Sequence, residues 1–192
     1  MRRTTTVRPG RGAQVMRVLA MVVAGIAVVA SGSIAHAATA EAGTASPCAE
    51  GALAVVGEDA GMTGDEDAWF EEVRLTLTNT ASAACRVEGP LGVRLTGPRS
   101  QAFTAAFDVP AGAGPHGEVV LGAGDSAHAT VRVQVLPGAE DVWEPDWMRV
   151  RLAGTGVSLV AAWPEGLAIT QLTAPLPGTG LPNSVGPLTA GA

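Results

Sequence analysis

An alternation of apolar and polar residues recurs along this chain and restricts its fold more than any other feature. Apolar residues occupy every second position from 73 to 77 and again from 127 to 135, with Arg, Thr, Gln and His between them. Successive side chains of a β-strand point to opposite faces, so this period of two predicts half-buried strands. After residue 37, no stretch longer than about ten residues keeps the 3.6-residue period of a helix.

Shorter apolar segments with the same or a less regular pattern occupy much of the remaining sequence. They are residues 53–56, 93–95, 119–121, 150–152, 157–163 and 167–172. Turn sequences rich in Gly and Pro separate them, as at residues 89–90, 97–98 and 164–166. Seven to nine short strands at this spacing predict an all-β fold, an antiparallel sandwich of two sheets.

The N-terminal region has the features of an export signal. Five Arg precede an unbroken apolar run at residues 18–30, and Ala35-His36-Ala37 has the small-x-small form that signal peptidase accepts. We expect a secretory signal peptide, residues 1–37, cleaved after Ala37. The run has 13 residues, whereas a helix needs about 20 to span a bilayer, so we expect no membrane span in the mature form. Met16 also precedes a complete signal, which leaves the start codon open between Met1 and Met16.

The chain has two cysteines, Cys48 and Cys85. Ala45 and Pro47 stand where a lipoprotein signal needs Leu and a small residue, so we expect a secreted protein that is not a lipoprotein. Because export exposes cysteines to an oxidising environment, one disulfide between them is the simplest prediction. A metal-thiolate site or a catalytic cysteine is disfavoured, since neither Cys has a His or a second Cys at ligand spacing.

Removal of the signal changes the charge of the chain. The 155 residues that remain contain 7 Arg, no Lys and 18 Asp or Glu, which gives a net charge of −11. A surface this acidic repels phosphate, so we expect neither nucleic acid nor an anionic membrane as a partner.

A series of motifs resembles one protein family. In order they are Cys48, LTLTNT (75–80), CRVEGPLGVRL (85–95), VVLGAGDSAHATVRV (119–133) and APLPG (174–178). This order resembles the actinobacterial secreted domain of unknown function 4232 family. The resemblance implies an immunoglobulin-like β-sandwich, often a lipoprotein, with no established activity, and it implies that Cys48 and Cys85 form the family's first disulfide. The second Cys pair and the lipoprotein signal of many members are absent here.

These observations predict the organisation of the chain. A short linker, residues 38–47, follows the signal, and the β-sandwich occupies residues 48–178. Residues 179–192 contain Gly and Pro and no charge, which predicts a flexible C-terminal tail.

The sequence offers little for catalysis. After the signal it contains two histidines, His116 and His128, and neither adjoins a G-x-S-x-G or H-x-x-x-H motif. We therefore predict a protein that is not an enzyme, with no catalytic residues and no cofactor.

Two acidic clusters with aromatic residues are candidate binding sites. Trp143 and Trp147 flank Glu144 and Asp146, a combination that can stack on sugar rings and hydrogen-bond to them. The carboxylates of Asp65, Asp67 and Glu71 are candidate calcium ligands.

We expect a secreted extracellular binding or structural module whose partner is an extracellular protein or a glycan. The alternatives are a carbohydrate or cell-wall ligand-binding protein that uses residues 143–147, and a calcium-stabilised module.

Overall fold

The computed structural model describes residues 45–64, 69–136, 138–172 and 183–191, and its strands pair antiparallel throughout. Within these ranges, no helix has the length and the apolar character that a membrane span requires. The predicted signal peptide, residues 1–37, lies outside the described residues.

Eleven strands form three hydrogen-bonded sheets in the described part of the chain. The strands are β1 (Leu53–Gly64), β2 (Trp69–Asn79), β3 (Cys85–Glu88), β4 (Gly92–Thr96), β5 (Ala106–Val109), β6 (Glu118–Leu121), β7 (Ser126–Val135), β8 (Trp147–Arg151), β9 (Ser158–Ala162), β10 (Ser184–Val185) and β11 (Thr189–Ala190). In the five-stranded sheet the order is β1-β2-β7, with β10 and β11 both paired to β7. The four-stranded sheet has the order β5-β4-β8-β9, and β3 pairs with β6.

The alternation in the sequence accounts for the two longest central strands. Val73 pairs with Val131, Leu75 with Ala129 and Leu77 with Ala127, and all six residues are buried. In the four-stranded sheet the buried positions also alternate, and they include Val93, Leu95, Met148 and Val150. Residues of all three sheets meet in a single hydrophobic cluster. The all-β prediction is therefore confirmed.

The number of strands and sheets differs from the expected seven to nine strands in two sheets. The additional strands are short: β5 has four residues and β10 and β11 have two each, and two residues are too few to show a period. Conversely, the apolar segment 167–172 contributes only an isolated bridge between Ile169 and Trp143.

The predicted flexible tail is wrong for residues 184–190. Both β10 and β11 pair with β7, and Val185 and Leu188 are buried. The edge of β7 that faces away from β2 has free backbone N–H and C=O groups, and β10 and β11 form hydrogen bonds with them. A content of Gly and Pro therefore did not indicate disorder here. Ala45 is also buried and Pro47 pairs with Arg86, so the last residues of the predicted linker belong to the fold.

A buried amide holds the turn between β2 and β3. Asn79 is inaccessible to solvent, and its Nδ2 donates hydrogen bonds to the carbonyl oxygens of Ala83 (2.8 Å), Leu121 (3.0 Å) and Gly122 (3.0 Å). Its Oδ1 accepts a hydrogen bond from the Ala81 amide. One side chain thus connects the end of β2 with the end of β6.

The disulfide joins the start of the domain to β3. Cys48 and Cys85 are bonded, which confirms the predicted pairing, and both are buried. Backbone hydrogen bonds reinforce this connection, because the Cys48 amide donates to the Arg86 carbonyl and the Arg86 amide donates to Ser46, each at 2.9 Å.

Loss of the disulfide is expected to reduce stability strongly. A bond across a sequence separation of 37 restricts the unfolded chain, so the double variant C48S/C85S should lose about 3–4 kcal/mol of unfolding free energy. Urea unfolding with and without reductant measures this loss. Reductant should lower the midpoint of the parent and leave that of the double variant unchanged, and equal midpoints of the two proteins without reductant would contradict the prediction.

Replacement of Asn79 tests the buried amide. Asn79→Ala removes a donor from three carbonyl oxygens, of which Gly122 alone is shown to keep another, the Asp125 amide, and the loss should cost on the order of 3 kcal/mol. Asn79→Asp is nearly isosteric but turns an oxygen toward those carbonyls, so it should cost at least as much. Thr80→Ala, in the same turn, is the control, since the Thr80 hydroxyl makes one exposed hydrogen bond to the Ala52 carbonyl. Thermal unfolding in which N79D matched T80A would refute this role.

Candidate functional site

A groove of about 410 Å³ lies where the segment before β8 meets the turn after β9. Residues 144–147 form one wall, residues 163–167 form the other, and Pro98 contributes from the segment after β4. Three of the four residues predicted to bind a sugar, Glu144, Asp146 and Trp147, line this groove.

Trp143, the fourth predicted residue, lies in the core. It is 2% exposed, so its ring offers no face to a ligand. Its Nε1 donates a hydrogen bond to the Pro98 carbonyl at 2.7 Å, and its backbone exchanges two 2.8 Å hydrogen bonds with Ile169. Trp143 therefore anchors the wall of the groove from beneath.

The close approach of two segments requires a glycine at position 97. A Cβ at Gly97 would lie 2.9 Å from the Pro145 Cα, closer than two non-bonded carbon atoms can approach, and 3.0 Å from the Glu144 carbonyl oxygen. The Asp146 amide also donates to the Thr96 carbonyl at 2.8 Å. Residues 144–146 are thus held against the end of β4.

The opposite wall is a turn closed by Trp163. The Trp163 Nε1 donates to the Leu167 carbonyl at 2.8 Å, and Gly166 adopts the left-handed conformation at a φ of 79°. The Trp163 amide donates to the Asp146 carbonyl at 3.0 Å, so a hydrogen bond connects the two walls. The buried Trp163 ring and the turn that it closes are therefore held in place in the absence of a ligand.

The accessible groups of the groove are one aromatic ring and three carboxylates. Trp147 is 53% exposed, and the side chains of Glu144, Asp146 and Glu165 are all exposed. None of the described residues that line the groove is Arg or His. The site can stack a ring and accept hydrogen bonds from hydroxyl or amine groups.

Glu165 did not emerge from the sequence as a site residue. Residues 164–166 indicated only a turn, and the pairing of Trp147 with Ala162 across β8 and β9 brings this turn to the groove. Glu165 could have been identified from the sequence only if the pairing of β8 with β9 had been predicted.

Asp125, Ser126 and His128 line a second recess, also of about 410 Å³, beside β11. These residue types form hydrolase triads when they hydrogen-bond to one another. Here His128 Nδ1 contacts Thr76 Oγ1 (3.0 Å), Ser126 Oγ contacts Thr78 Oγ1 (2.8 Å), and Asp125 accepts from the Gly122 amide (2.9 Å). The described hydrogen bonds therefore connect each of them to a different partner.

Two of the candidate calcium ligands, Asp65 and Asp67, lie outside the described residues. Glu71 is 9% exposed and belongs to the same alternating row of β2 as Val73. Burial, and next the nearby Asp59 carboxylate, raise the pKa of Glu71. In the described part of the chain, no group of three or more His, Cys, Asp or Glu side chains is arranged to hold a metal ion.

The raised pKa of Glu71 predicts a pH-dependent effect of its replacement. Between the ordinary pKa of Glu and the raised one, the folded state binds more protons than the unfolded state, so stability falls as pH rises. Glu71→Gln removes this penalty and should be more stable than the parent at pH 7, with a smaller difference at pH 4. Urea unfolding in a chelating buffer tests this.

The same measurement in calcium provides a control for ligation. If Glu71 binds calcium, the ion should stabilise the parent more than Glu71→Gln. A Glu71→Gln variant less stable than the parent at pH 7 in chelator would contradict the pH prediction.

Comparison with known proteins identifies a family. The family model described as "Domain of unknown function (DUF4232)" matches residues 48–189. No curated protein and no solved structure matches the chain significantly. The matched region contains both walls of the groove and extends past the expected domain end at residue 178 into β11. Because this region is most of the chain, the family expected from the motifs is confirmed, and the chain belongs to the DUF4232 family.

Proposed function

We propose that the chain is an exported binding module, without catalytic activity, whose groove between residues 144–147 and 163–167 binds a carbohydrate. The observation that carries the proposal is the exposed indole of Trp147 beside the carboxylates of Glu144, Asp146 and Glu165. Export is supported by the Arg-rich start, the apolar run and the Ala35-His36-Ala37 sequence.

The fold proposed for this module is an immunoglobulin-like β-sandwich. Its two larger sheets are antiparallel, and each contributes alternate residues to one hydrophobic cluster. Met148 of β8 lies against Gly57 of β1, so strands of the two sheets approach each other closely. Both observations are typical of sheets packed face to face.

The groove has the chemistry of a sugar site. The apolar face of a sugar ring stacks on an exposed indole, and its hydroxyl groups donate hydrogen bonds to carboxylates. A volume of about 410 Å³ lies in the range of small-molecule sites. The negative charge of the three carboxylates favours neutral sugars over acidic ones.

Binding is favoured over glycoside hydrolysis. A glycosidase needs a carboxylic acid in an apolar enclosure that keeps it protonated, together with a second carboxylate. All three carboxylate side chains of the groove are exposed to solvent. The alternative of a purely structural module is disfavoured by the position of Trp147, which is 53% exposed and lines the groove beside three carboxylates, whereas Trp143 and Trp163 are buried.

Fluorescence titration with neutral oligosaccharides tests the function. A panel of gluco-, manno-, galacto- and N-acetylglucosamine oligosaccharides should contain members that quench the tryptophan emission of the parent. Trp147→Ala should abolish this response and leave the fold intact, since the side chain is largely exposed. Glu165→Gln keeps an acceptor oxygen but removes its charge, so it should weaken binding by about threefold to tenfold, the difference between a charge-assisted and a neutral hydrogen bond.

Trp69→Ala is the matched control, because Trp69 is 39% exposed but does not line the groove. It should bind the same oligosaccharides as the parent. Quenching that persisted in W147A, or a panel without any response, would refute the carbohydrate site.

A further inference from the structure

The outward face of the four-stranded sheet concentrates the positive charge of an acidic protein. Seven Arg follow the predicted signal, and Arg94, Arg149 and Arg151 are exposed on β4 and β8, on the opposite face from the buried Val93 and Met148. Outward positions of the same sheet carry one acidic residue, Asp108. We call the surface formed by Arg94, Arg149, Arg151 and Val160 the arginine face.

The charges on the arginine face are not balanced within the described structure. Arg94 forms an exposed ion pair with Asp108 at 3.2 Å, an interaction of little strength. Among the residues that the structure describes, Arg149 and Arg151 have no carboxylate within 4.0 Å. Arg94 is also the direct cross-strand partner of Arg149, and like charges in that position destabilise a sheet. The positive charges of Arg149 and Arg151 are therefore available to an anion outside the described structure.

The arginine face also has an apolar recess. Val160 pairs with Arg149 across β8 and β9 and is 54% exposed, although it is a large apolar residue. Together with Thr96, Arg149 and the flank of Trp147 it lines a recess of about 350 Å³. Arg and Trp are the residue types that contribute most to protein interfaces. The surface thus combines anion recognition with an apolar contact.

We propose that the arginine face binds an acidic, extended segment of a partner protein. Arg149 and Arg151 are two positions apart on one strand, so their Cα atoms are about 6.8 Å apart. Alternate residues of an extended peptide have the same spacing, which allows two Asp or Glu side chains to form bidentate pairs with the two guanidinium groups. An apolar residue of the segment fills the recess at Val160. The three arginines attract the partner's carboxylates, whereas the remaining 4 Arg and 18 acidic residues after residue 37 disfavour the binding of an acidic segment elsewhere on the protein.

The test uses a labelled peptide in which Glu alternates with Thr around a central Leu, measured by fluorescence anisotropy against the purified protein. The peptide should bind, and the same peptide with Gln for each Glu should not. Arg149→Glu should weaken binding at least about tenfold, the loss of one charge-assisted hydrogen bond. Arg74→Glu is the matched control, because Arg74 is an exposed strand residue of the other large sheet, and it should change binding less than about twofold.

The melting temperature distinguishes a loss of peptide binding from a loss of folding. Arg149→Glu replaces a like-charge pair opposite Arg94 by an opposite-charge pair, so the melting temperature should be equal to or higher than that of the parent. Should R149E fail to fold, the variant R149Q/R151Q gives the same comparison with R74Q. Val160→Thr should also weaken binding, since it makes the recess polar.

Several outcomes would overturn the proposal. Equal effects of R149E and R74E would mean attraction to overall charge only. Binding of polygalacturonate, an anionic polysaccharide, in place of the peptide would assign the face to a glycan. Self-association of the parent that R149E abolishes would make a second copy of the chain the occupant. Trp147 borders both the recess and the groove, but none of the residues replaced here lines the groove, so failure of the peptide to bind would leave the carbohydrate proposal standing.

Discussion

The amide of Asn79 is the constraint on which the arrangement of the strands depends. Three carbonyl oxygens at the end of β6 and in the turn after β2 have the Asn79 Nδ2 as a donor, and one backbone amide of that turn has its Oδ1 as an acceptor. Buried backbone groups need such partners, and Asn79 supplies them where the pairing of β3 with β6 ends at Cys85 and Leu121. The disulfide acts on the same region, because Cys85 pairs with Leu121, whose carbonyl accepts from Asn79. A side-chain amide and a covalent bond thus fix one region of the fold where two sheets meet.

The groove is held by a different set of interactions. Trp143 and Trp163 are both buried, and each donates its indole hydrogen to a backbone carbonyl. These two rings position the walls and leave Trp147 as the aromatic surface that a ligand can reach. A site supported in this way loses little conformational entropy on binding, which favours affinity for weakly held ligands such as sugars.

The sequence predicted the regular part of the fold and only some of the site. The long alternating segments became β2 and β7, and the pair Cys48 and Cys85 became the disulfide. Strands of two residues such as β10 had no detectable pattern, because their pairing with β7 is decided by tertiary contacts.

The chemistry of the site was predictable to a similar extent. Glu144, Asp146 and Trp147 were identified because they are neighbours in sequence, whereas Glu165 reaches them only through the pairing of β8 with β9. Sequence also could not distinguish the buried Trp143 from the exposed Trp147, since both lie in one acidic connection. The arginine face required knowledge that β4 neighbours β8, two strands that are not consecutive in the chain.

The alternation along β8 divides five consecutive residues into two that pack in the core and three that form the surface. Met148 and Val150 point into the core, while Trp147, Arg149 and Arg151 point outward. Trp147 lines both the groove and the recess. Arg149 and Arg151 belong to the arginine face. Substitutions at the three outward residues alter the surfaces proposed for binding without disturbing the packing of Met148 and Val150. Under the two proposals, the outward residues of β8 can therefore change while the scaffold is retained, and β8 is the strand whose sequence bears most directly on both proposed surfaces.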